Sequence, residues 1–353
     1  MTGGVRWNTH DCLSWTNVFT DLPFVNPRGW RRGLGQGMTP GVAERTLTAY
    51  LAARGFTAEL LEELERSSSP PRILQVSDRL VITEGEPREA AWAQNTWRDC
   101  LRLPFSSVAE AARLLRERQR NWAKFTTRFH RRGELIQARL PVLSSRPLRF
   151  LDPLPASPMG SWTLLDQHTM LAAPSCSSPF PHGELDFVED REAPPSRAYL
   201  KLWELFTVYG VRPRAGESCI DLGSAPGGWS WVLATLGCSV TSVDKAPLDP
   251  RVAGLRGVRE LRESAFALDP RGMKADWLFS DIICYPARLY GLVTAWLDAG
   301  ACRNVVCSVK FQGRTDFDAL RAFASIAGSR LVHLSHNRHE LTFFLLGGSE
   351  PSR

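Results

Sequence analysis

From residue 196 to the C-terminus, strand and helix patterns alternate, and this alternation constrains the fold more than any other feature of the chain. The spacing predicts a helix over Arg197–Tyr209, a strand over Ser218–Leu222, a helix over Gly228–Leu236 and a strand over Val240–Val243. Strands near Val258–Arg262 and over Trp277–Ile282 follow. A helix over Ala287–Ala299, a strand over Asn304–Phe311 and a helix over Phe317–Ile326 continue the series. Two closing strands, Leu331–Ser335 and Leu341–Leu346, flank a short turn at His336–His339. Alternating strands and helices make a doubly wound, mostly parallel sheet, and a terminal hairpin on it inserts one antiparallel strand.

The chain has 353 residues, room for two domains at about 100–200 residues each. Residues 1–36 are rich in Trp, Gly and Arg and stay unassigned. Residues 37–195 read as an N-terminal α+β domain with an acidic linker, and 196–353 as the alternating domain. Within the first, residues 40–65 read as helices opened by Thr39-Pro40, with Leu47, Leu51, Leu60, Leu61 and Leu64 at helical spacing. Arg72–Thr83 reads as a hairpin turning at Ser77-Asp78. Pro194-Pro195-Ser196 ends the linker with a good helix cap.

No apolar run approaches the roughly 20 residues of a membrane span, and Met1–Asp11 has no signal pattern. A soluble, cytoplasmic chain without membrane contact is expected. The eight cysteines are scattered and form no C-x-x-C pair. They read as buried free thiols, with no ligand spacing for zinc. The turn His336-Asn337-Arg338-His339-Glu340 lacks the H-E-x-x-H order, so no metal is expected there.

The net charge of +6 hides two opposed blocks. Residues 101–150 hold twelve Arg and Lys against three Glu, and residues 151–195 hold seven acids against Arg191 alone. In the basic block, Arg113, Arg116, Arg120, Lys124, Arg128, Arg131 and Arg132 interleave with Trp122, Phe125 and Phe129. A helix with Val108, Ala111, Leu114 and Leu115 on one face would hold Arg residues on the other. The block reads either as a solvated helix face or as phosphate contacts with aromatic stacking on unpaired bases. Lys is rare, at five residues (124, 201, 245, 274, 310) among 43 basic ones. Only Lys can lose its proton on burial.

The sharpest local signal is Asp221-Leu222-Gly223-Ser224-Ala225-Pro226-Gly227-Gly228-Trp229, between a predicted strand and helix. Its glycines admit a ligand close to the backbone. Asp244 ends the next strand, where an acid can accept the ribose hydroxyls of an adenosine ligand. No G-x-x-x-x-G-K-[ST] is present, which disfavours a nucleoside triphosphate. Trp229 and Trp231 read as core, with Trp229 able to edge the ligand pocket.

The string D-L-G-x-x-P-G-G-W resembles motif I of the FtsJ/RrmJ-type RNA ribose 2′-O-methyltransferases. Pro195-Ser196-Arg197, Leu200-Lys201-Leu202, Val243-Asp244, Asp276-Trp277 before Asp281, and Lys310 at a strand end resemble the RlmM-type branch. The likeness is good over 195–346 and weaker over 100–195, and it is not evident before about residue 90. It implies a Rossmann-like methyltransferase domain that uses S-adenosylmethionine, preceded by a degenerate THUMP-like RNA-binding module. It also implies methylation of a cytidine of 23S rRNA, before or during ribosome assembly, by a monomer. The cofactor would be held by Gly223, Ser224, Ala225, Pro226, Gly227, Gly228, Trp229, Asp244, Ser264 and Asp281. The family's Lys-Asp-Lys-Glu tetrad falls on Lys201, Asp281, Lys310 and Glu340, with Lys310 as the proton acceptor. Asp281 and Lys310 end parallel strands, Glu340 begins the last strand and Lys201 lies early in the preceding helix, so all four can meet at one edge. Lys310 is expected to lie near the ammonium of Lys201, and Glu204, one helical turn on, is placed to pair with Lys201.

Two positions depart from the pattern. Ser264, preceded by Glu263, stands where the family has an acid near the adenine, and Ala198 replaces a Ser near the methionine end. Three functions compete on these residues: the rRNA enzyme, a methyltransferase of tRNA, mRNA cap or a small molecule, and a non-catalytic RNA-binding relative.

Overall fold

The computed structural model describes residues 46–143 and 146–347. The unassigned segment 1–36 and the start of the expected helices at 40–45 lie outside the described residues. The first half lays down β1 (Leu47–Ala52), α1 (Thr57–Glu65), β2 (Arg72–Ser77), β3 (Leu80–Glu84), β4 (Ala93–Arg98) and β5 (Leu101–Pro104). It continues with α2 (Val108–Arg116), β6 (Trp122–Lys124), α3 (His130–Gln137), β7 (Gly160–Leu164), β8 (Thr169–Ala173) and β9 (Ser175–Cys176). The second half runs α4 (Tyr199–Tyr209), β10 (Ser218–Leu222), α5 (Gly228–Thr235), β11 (Ser239–Asp244), α6 (Pro250–Ala253) and β12 (Val258–Arg262). It ends with β13 (Trp277–Ser280), α7 (Pro286–Asp298), β14 (Asn304–Lys310), α8 (Phe317–Ala324), β15 (Ser329–Val332) and β16 (Glu340–Leu345).

These strands form three sheets. The large one has the order β12-β11-β10-β13-β14-β16-β15. Its first five strands are parallel, and β16 inserts antiparallel between β14 and β15. This is the expected sheet with its terminal hairpin. The central strands are buried on both faces, as the apolar run in β14 requires: Val305, Val306, Cys307 and Val309 are all inaccessible.

The first half forms a five-stranded sheet, β2-β3-β1-β4-β9, and a four-stranded one, β5-β8-β7-β6. The β2–β3 hairpin is the one expected, turning through Asp78 at φ 54°. The expected helix over Leu47 and Leu51 is instead β1, in the middle of its sheet between β3 and β4. A spacing of four residues fits a helix turn and a strand face equally, so Leu47 and Leu51 did not discriminate. Leu60, Leu61 and Leu64 do belong to a helix, α1. The expected cap at Ser196 is absent: Ala198 precedes α4, with no side-chain cap.

The halves share one core. Tyr50, Leu60, Leu64, Val81 and Trp92 pack in the same apolar cluster as Leu289, Trp296, Phe311 and Phe343. Trp92 lies against Phe311 and His339, the neighbours of Lys310 and Glu340, at ring separations of 5.8 Å. Among the described residues no helix is long and apolar enough to cross a membrane.

Candidate active site

Growth of the large sheet reverses between β10 and β13, and a cavity of about 560 Å³ opens there, at the carboxyl ends of the parallel strands. Of the ten residues expected at the cofactor, all but Gly227 line it. The turn after β10 needs its glycines for two different reasons. A Cβ on Gly223 (φ +74°) would lie 2.7 Å from Ile282, and one on Gly228 would lie 2.6 Å from Ser196 Oγ, so these two let the walls of the cavity close up. A Cβ on Gly227 (φ +116°) would instead strike Val252 of α6, so this residue serves packing behind the turn.

Polar groups converge on the cavity. The Asp244 carboxylate accepts the amide hydrogens of Ala225 (3.1 Å) and Ala246 (2.9 Å), which fixes it at the end of β11. Glu263 and Ser264 both line the wall, and the Glu263 carboxylate accepts the amide hydrogen of Ser264 (3.0 Å). Ala198 lines the opposite wall, and its carbonyl accepts the indole hydrogen of Trp229 (3.0 Å). Lys245, Phe266, Ile283 and Arg288 also line the cavity and were not anticipated. Lys245 and Ile283 could have been found, since each follows a strand end already singled out. Phe266 and Arg288 meet only through tertiary packing, with the guanidinium 3.8 Å above the ring.

Asp221 is fully buried at the cavity's base. Its Oδ2 accepts the hydroxyl of Ser230 (2.6 Å), while Oδ1 has no partner. Burial pushes the carboxyl up to about 7, against the pull of the Ser230 hydrogen bond. Ser224 Oγ, also buried at the cavity, lacks a partner too. A cationic ligand group facing Asp221 would favour the ionised carboxylate.

The tetrad residues meet beside this cavity. Asp281 Oδ1 stands between the two lysines, 3.1 Å from Lys201 Nζ and 2.9 Å from Lys310 Nζ. Lys201 also pairs with Glu340 at 2.7 Å, and Lys310 donates to the Asp281 carbonyl at 2.5 Å. Lys310 and Glu340 face each other across β14 and β16. The expected neighbour of Lys310, the Lys201 ammonium, is thus separated from it by a carboxylate. Burial lowers the pKa of Lys201, but Asp281 and Glu340 together outweigh it and hold the pKa above its ordinary value. Burial raises Asp281, but Lys201 and Lys310 outweigh it and hold the carboxyl below its ordinary value. Glu204 does not pair with Lys201: it accepts the Ser335 amide hydrogen at 2.9 Å and lies 3.5 Å from His336. A helical turn separates Glu204 from Lys201, but the Glu204 carboxylate is taken up by the amide and hydroxyl of Ser335, in the turn between β15 and β16.

The basic block builds a second surface. α2 and α3 pack on one face of the four-stranded sheet through Ala111, Leu115 and Ile136. Trp122 is fully buried, with its indole donating to the Leu115 carbonyl (3.0 Å), and Phe125 is also buried. These rings therefore hold the core and do not await bases. Arg113 pairs with Glu117, Lys124 with Glu134, and Arg132 lies over Phe105. Arg116 donates to the Arg139 carbonyl. Arg120, Arg128 and Arg131 are exposed and form no ion pair among the described residues. His336 and His339 build no metal site: among the described residues no group of three His, Cys, Asp or Glu is placed to hold an ion.

The strand order, the glycine-rich turn after β10 and the acid after β11 define a Rossmann-like methyltransferase domain. Residues 194–336 match the family model for FtsJ-like methyltransferases. Three curated relatives, each named ribosomal RNA large subunit methyltransferase M, are similar to it. The Halorhodospira halophila protein is 35% identical over 42% of this chain and 46% of its own. The Methylococcus capsulatus protein is 35% identical over 49% and 53%, and the Azotobacter vinelandii protein 34% identical over 50% and 54%. The chain thus spans about half the length of the curated relatives it matches.

The cavity fits S-adenosylmethionine. Its volume suits a ligand of that size. The unpartnered Asp221 Oδ1 and Ser224 Oγ suit an amino acid head group, and Asp244 suits a ribose. One consequence follows from Asp221. Below about 7 its carboxyl is protonated and cannot pair with the ligand's ammonium, so affinity for S-adenosylmethionine is expected to rise between about pH 6 and pH 8. Asp221→Asn is expected to bind more weakly and to lose that rise. Calorimetric titrations at several pH values check both.

Proposed function

We propose that the protein methylates a ribose 2′-hydroxyl of RNA, with a cytidine of large-subunit rRNA as the target. The observation that carries this reading is the ion-paired cluster Lys201–Asp281–Lys310–Glu340 beside a cavity suited to S-adenosylmethionine. The name of the relatives, ribosomal RNA large subunit methyltransferase M, supports the choice of RNA.

Held by Asp221, Ser224 and Asp244, S-adenosylmethionine would supply an electrophilic methyl group, with the electron pair of the cleaved S–CH3 bond left on the sulfur. The residues of this chain manage the proton. A ribose hydroxyl is a weak nucleophile until its proton has an acceptor. Lys310 rests as an ammonium paired with Asp281 and first gives one proton to solvent; the neutral amine then has two N–H bonds and one lone pair. Its two contacts, to Asp281 Oδ1 and to the Asp281 carbonyl, use both N–H bonds and leave the lone pair for the hydroxyl. The proton ends on Lys310 as an ammonium beside the Asp281 carboxylate. Lys201 stays charged between Asp281 and Glu340 and fixes both carboxylates. Neutral Arg is not accessible near pH 7, so Lys is the cation that suits this step.

In the same reading, the α+β part before residue 195 is a THUMP-like RNA-binding module, and Arg120, Arg128 and Arg131 give it phosphate contacts. The test is mass spectrometric mapping of ribose methylation after incubating the protein with S-adenosylmethionine and unmodified rRNA. A new 2′-O-methylcytidine in the large-subunit RNA is expected. Methylation only on a base, on tRNA or on no RNA would overturn the reading.

A further inference from the structure

Between the end of β13 and the start of α7 the chain runs from Asp281 to Tyr285 without regular structure. Asp281 holds the two lysines. Two residues on, Ile283 is 79% exposed, and two further on Tyr285 is 64% exposed. Large side chains this open are few among the described residues, and Tyr285 is the aromatic one of them. Its backbone is fixed: Pro286 follows, and the Tyr285 carbonyl accepts the amide hydrogens of Arg288 (3.0 Å) and Leu289 (3.1 Å). One turn into α7, Arg288 lies over Phe266, its guanidinium carbon 3.8 Å from the ring centre, and forms no ion pair among the described residues. Ile283 and Arg288 line the same cavity as Asp281 and Lys310.

We propose that Ile283, Tyr285 and Arg288 form the subsite for the acceptor nucleotide. Ile283 and Tyr285 make the platform on which its base stacks, and Arg288 takes a neighbouring phosphate. The inference rests on the RNA reading above and deepens it. A ribose that reaches Lys310 belongs to an unpaired, splayed nucleotide, because a duplex would keep the sugar away from a recessed site. The exposed base face then needs an apolar partner within one nucleotide's reach of the tetrad. Ile283 and Tyr285 stand two and four residues from Asp281, on a segment locked at both ends. Arg288 supplies a cation whose orientation is set by a ring and whose charge no carboxylate of the protein consumes. Stacking tolerates any base, so this subsite holds the nucleotide and leaves the choice of sequence to other contacts.

The experiment is steady-state methylation of unmodified rRNA by the full-length protein, with Tyr285→Ala, Tyr285→Phe and Arg288→Gln. Tyr285→Ala is expected to raise KM for RNA by about five- to a hundredfold. Its affinity for S-adenosylmethionine and its melting temperature should stay those of wild type, since the side chain is exposed. Tyr285→Phe should restore KM to within about twofold, because stacking needs the ring and not the hydroxyl. Arg288→Gln should lower the slope of log affinity for RNA against log salt by about one. Wild-type methylation of RNA with unchanged KM in Tyr285→Ala overturns the subsite alone. Weakened S-adenosylmethionine binding with unchanged KM for RNA also overturns it, by moving Tyr285 to the donor side. No methylation of any RNA ribose by wild type overturns the functional reading and the subsite together.

Discussion

Lys310→Ala is expected to slow methyl transfer by about 10²- to 10⁴-fold, the usual range for loss of a positioned proton acceptor. Single-turnover measurement with both substrates in excess of their dissociation constants reads this step directly. The fold should survive, because Lys310 sits at the rim of the sheet with 19% of its side chain exposed, and Asp281 keeps Lys201 as a partner. Binding of S-adenosylmethionine should be largely retained. Lys310→Arg is the more informative variant. It keeps the charge beside Asp281 but offers no lone pair near pH 7, so it should be as slow as Ala. An Arg variant with near-wild-type rate would remove Lys310 from the role of proton acceptor and leave it a purely electrostatic one.

The second large effect is on stability. Lys201→Met removes the ammonium that joins Asp281 and Glu340, whose side chains are only 18% and 7% exposed. Glu340 is left without its ion-pair partner, and breaking a buried pair from one side costs about 3–5 kcal/mol. Denaturant unfolding at neutral pH checks the size, and its pH dependence checks the cause. Asp281 is held below the ordinary carboxylate range, so its contribution is present above about pH 4 and is lost as pH falls through the folded value. Lys201 is held above the ordinary lysine range, so its contribution is present below about pH 10 and is lost as pH rises through its folded value. Wild type should therefore lose this stabilisation at both ends of the scale. In Lys201→Met the alkaline loss should vanish, and the acid loss should shrink to what Lys310 alone sustains. A variant as stable as wild type at neutral pH would mean that water satisfies Glu340 and that the cluster contributes little to folding.

The alternating half of the chain was legible because its signals are local. β10 and β12 begin and end at the expected residues, and the other strands of that sheet lie within a few residues of expectation. Burial on both faces makes a parallel strand an uninterrupted apolar run, so Val305, Val306 and Val309 announce β14 without knowledge of their neighbours. The glycine-rich turn is legible for the same reason: backbone curvature and close approach require residues without Cβ wherever they occur. Legibility failed where two periods coincide. Leu47 and Leu51 fit a helix and a strand alike, and their place between β3 and β4 settled the matter. It failed again for Trp122 and Phe125, since an aromatic ring among arginines looks the same in sequence whether it faces water or a core. Trp122 is buried under the two helices and Phe125 among strands of both N-terminal sheets, and those strands come from distant parts of the chain.

The tetrad divides along the same line. The family resemblance nominated Lys201, Asp281, Lys310 and Glu340, and their predicted places in the helix and at the strand ends were compatible with it, because the carboxyl edge of a parallel sheet gathers whatever follows each strand. Their pairing was not readable. That Asp281 lies between the lysines, that Glu340 holds Lys201, and that Glu204 turns to Ser335 depend on distances between groups up to 139 residues apart. Chain order carries the period of each element and the chemistry of each side chain. Which charge faces which is decided by packing, since an ion pair forms only between groups that the folded core has already brought within about 4 Å.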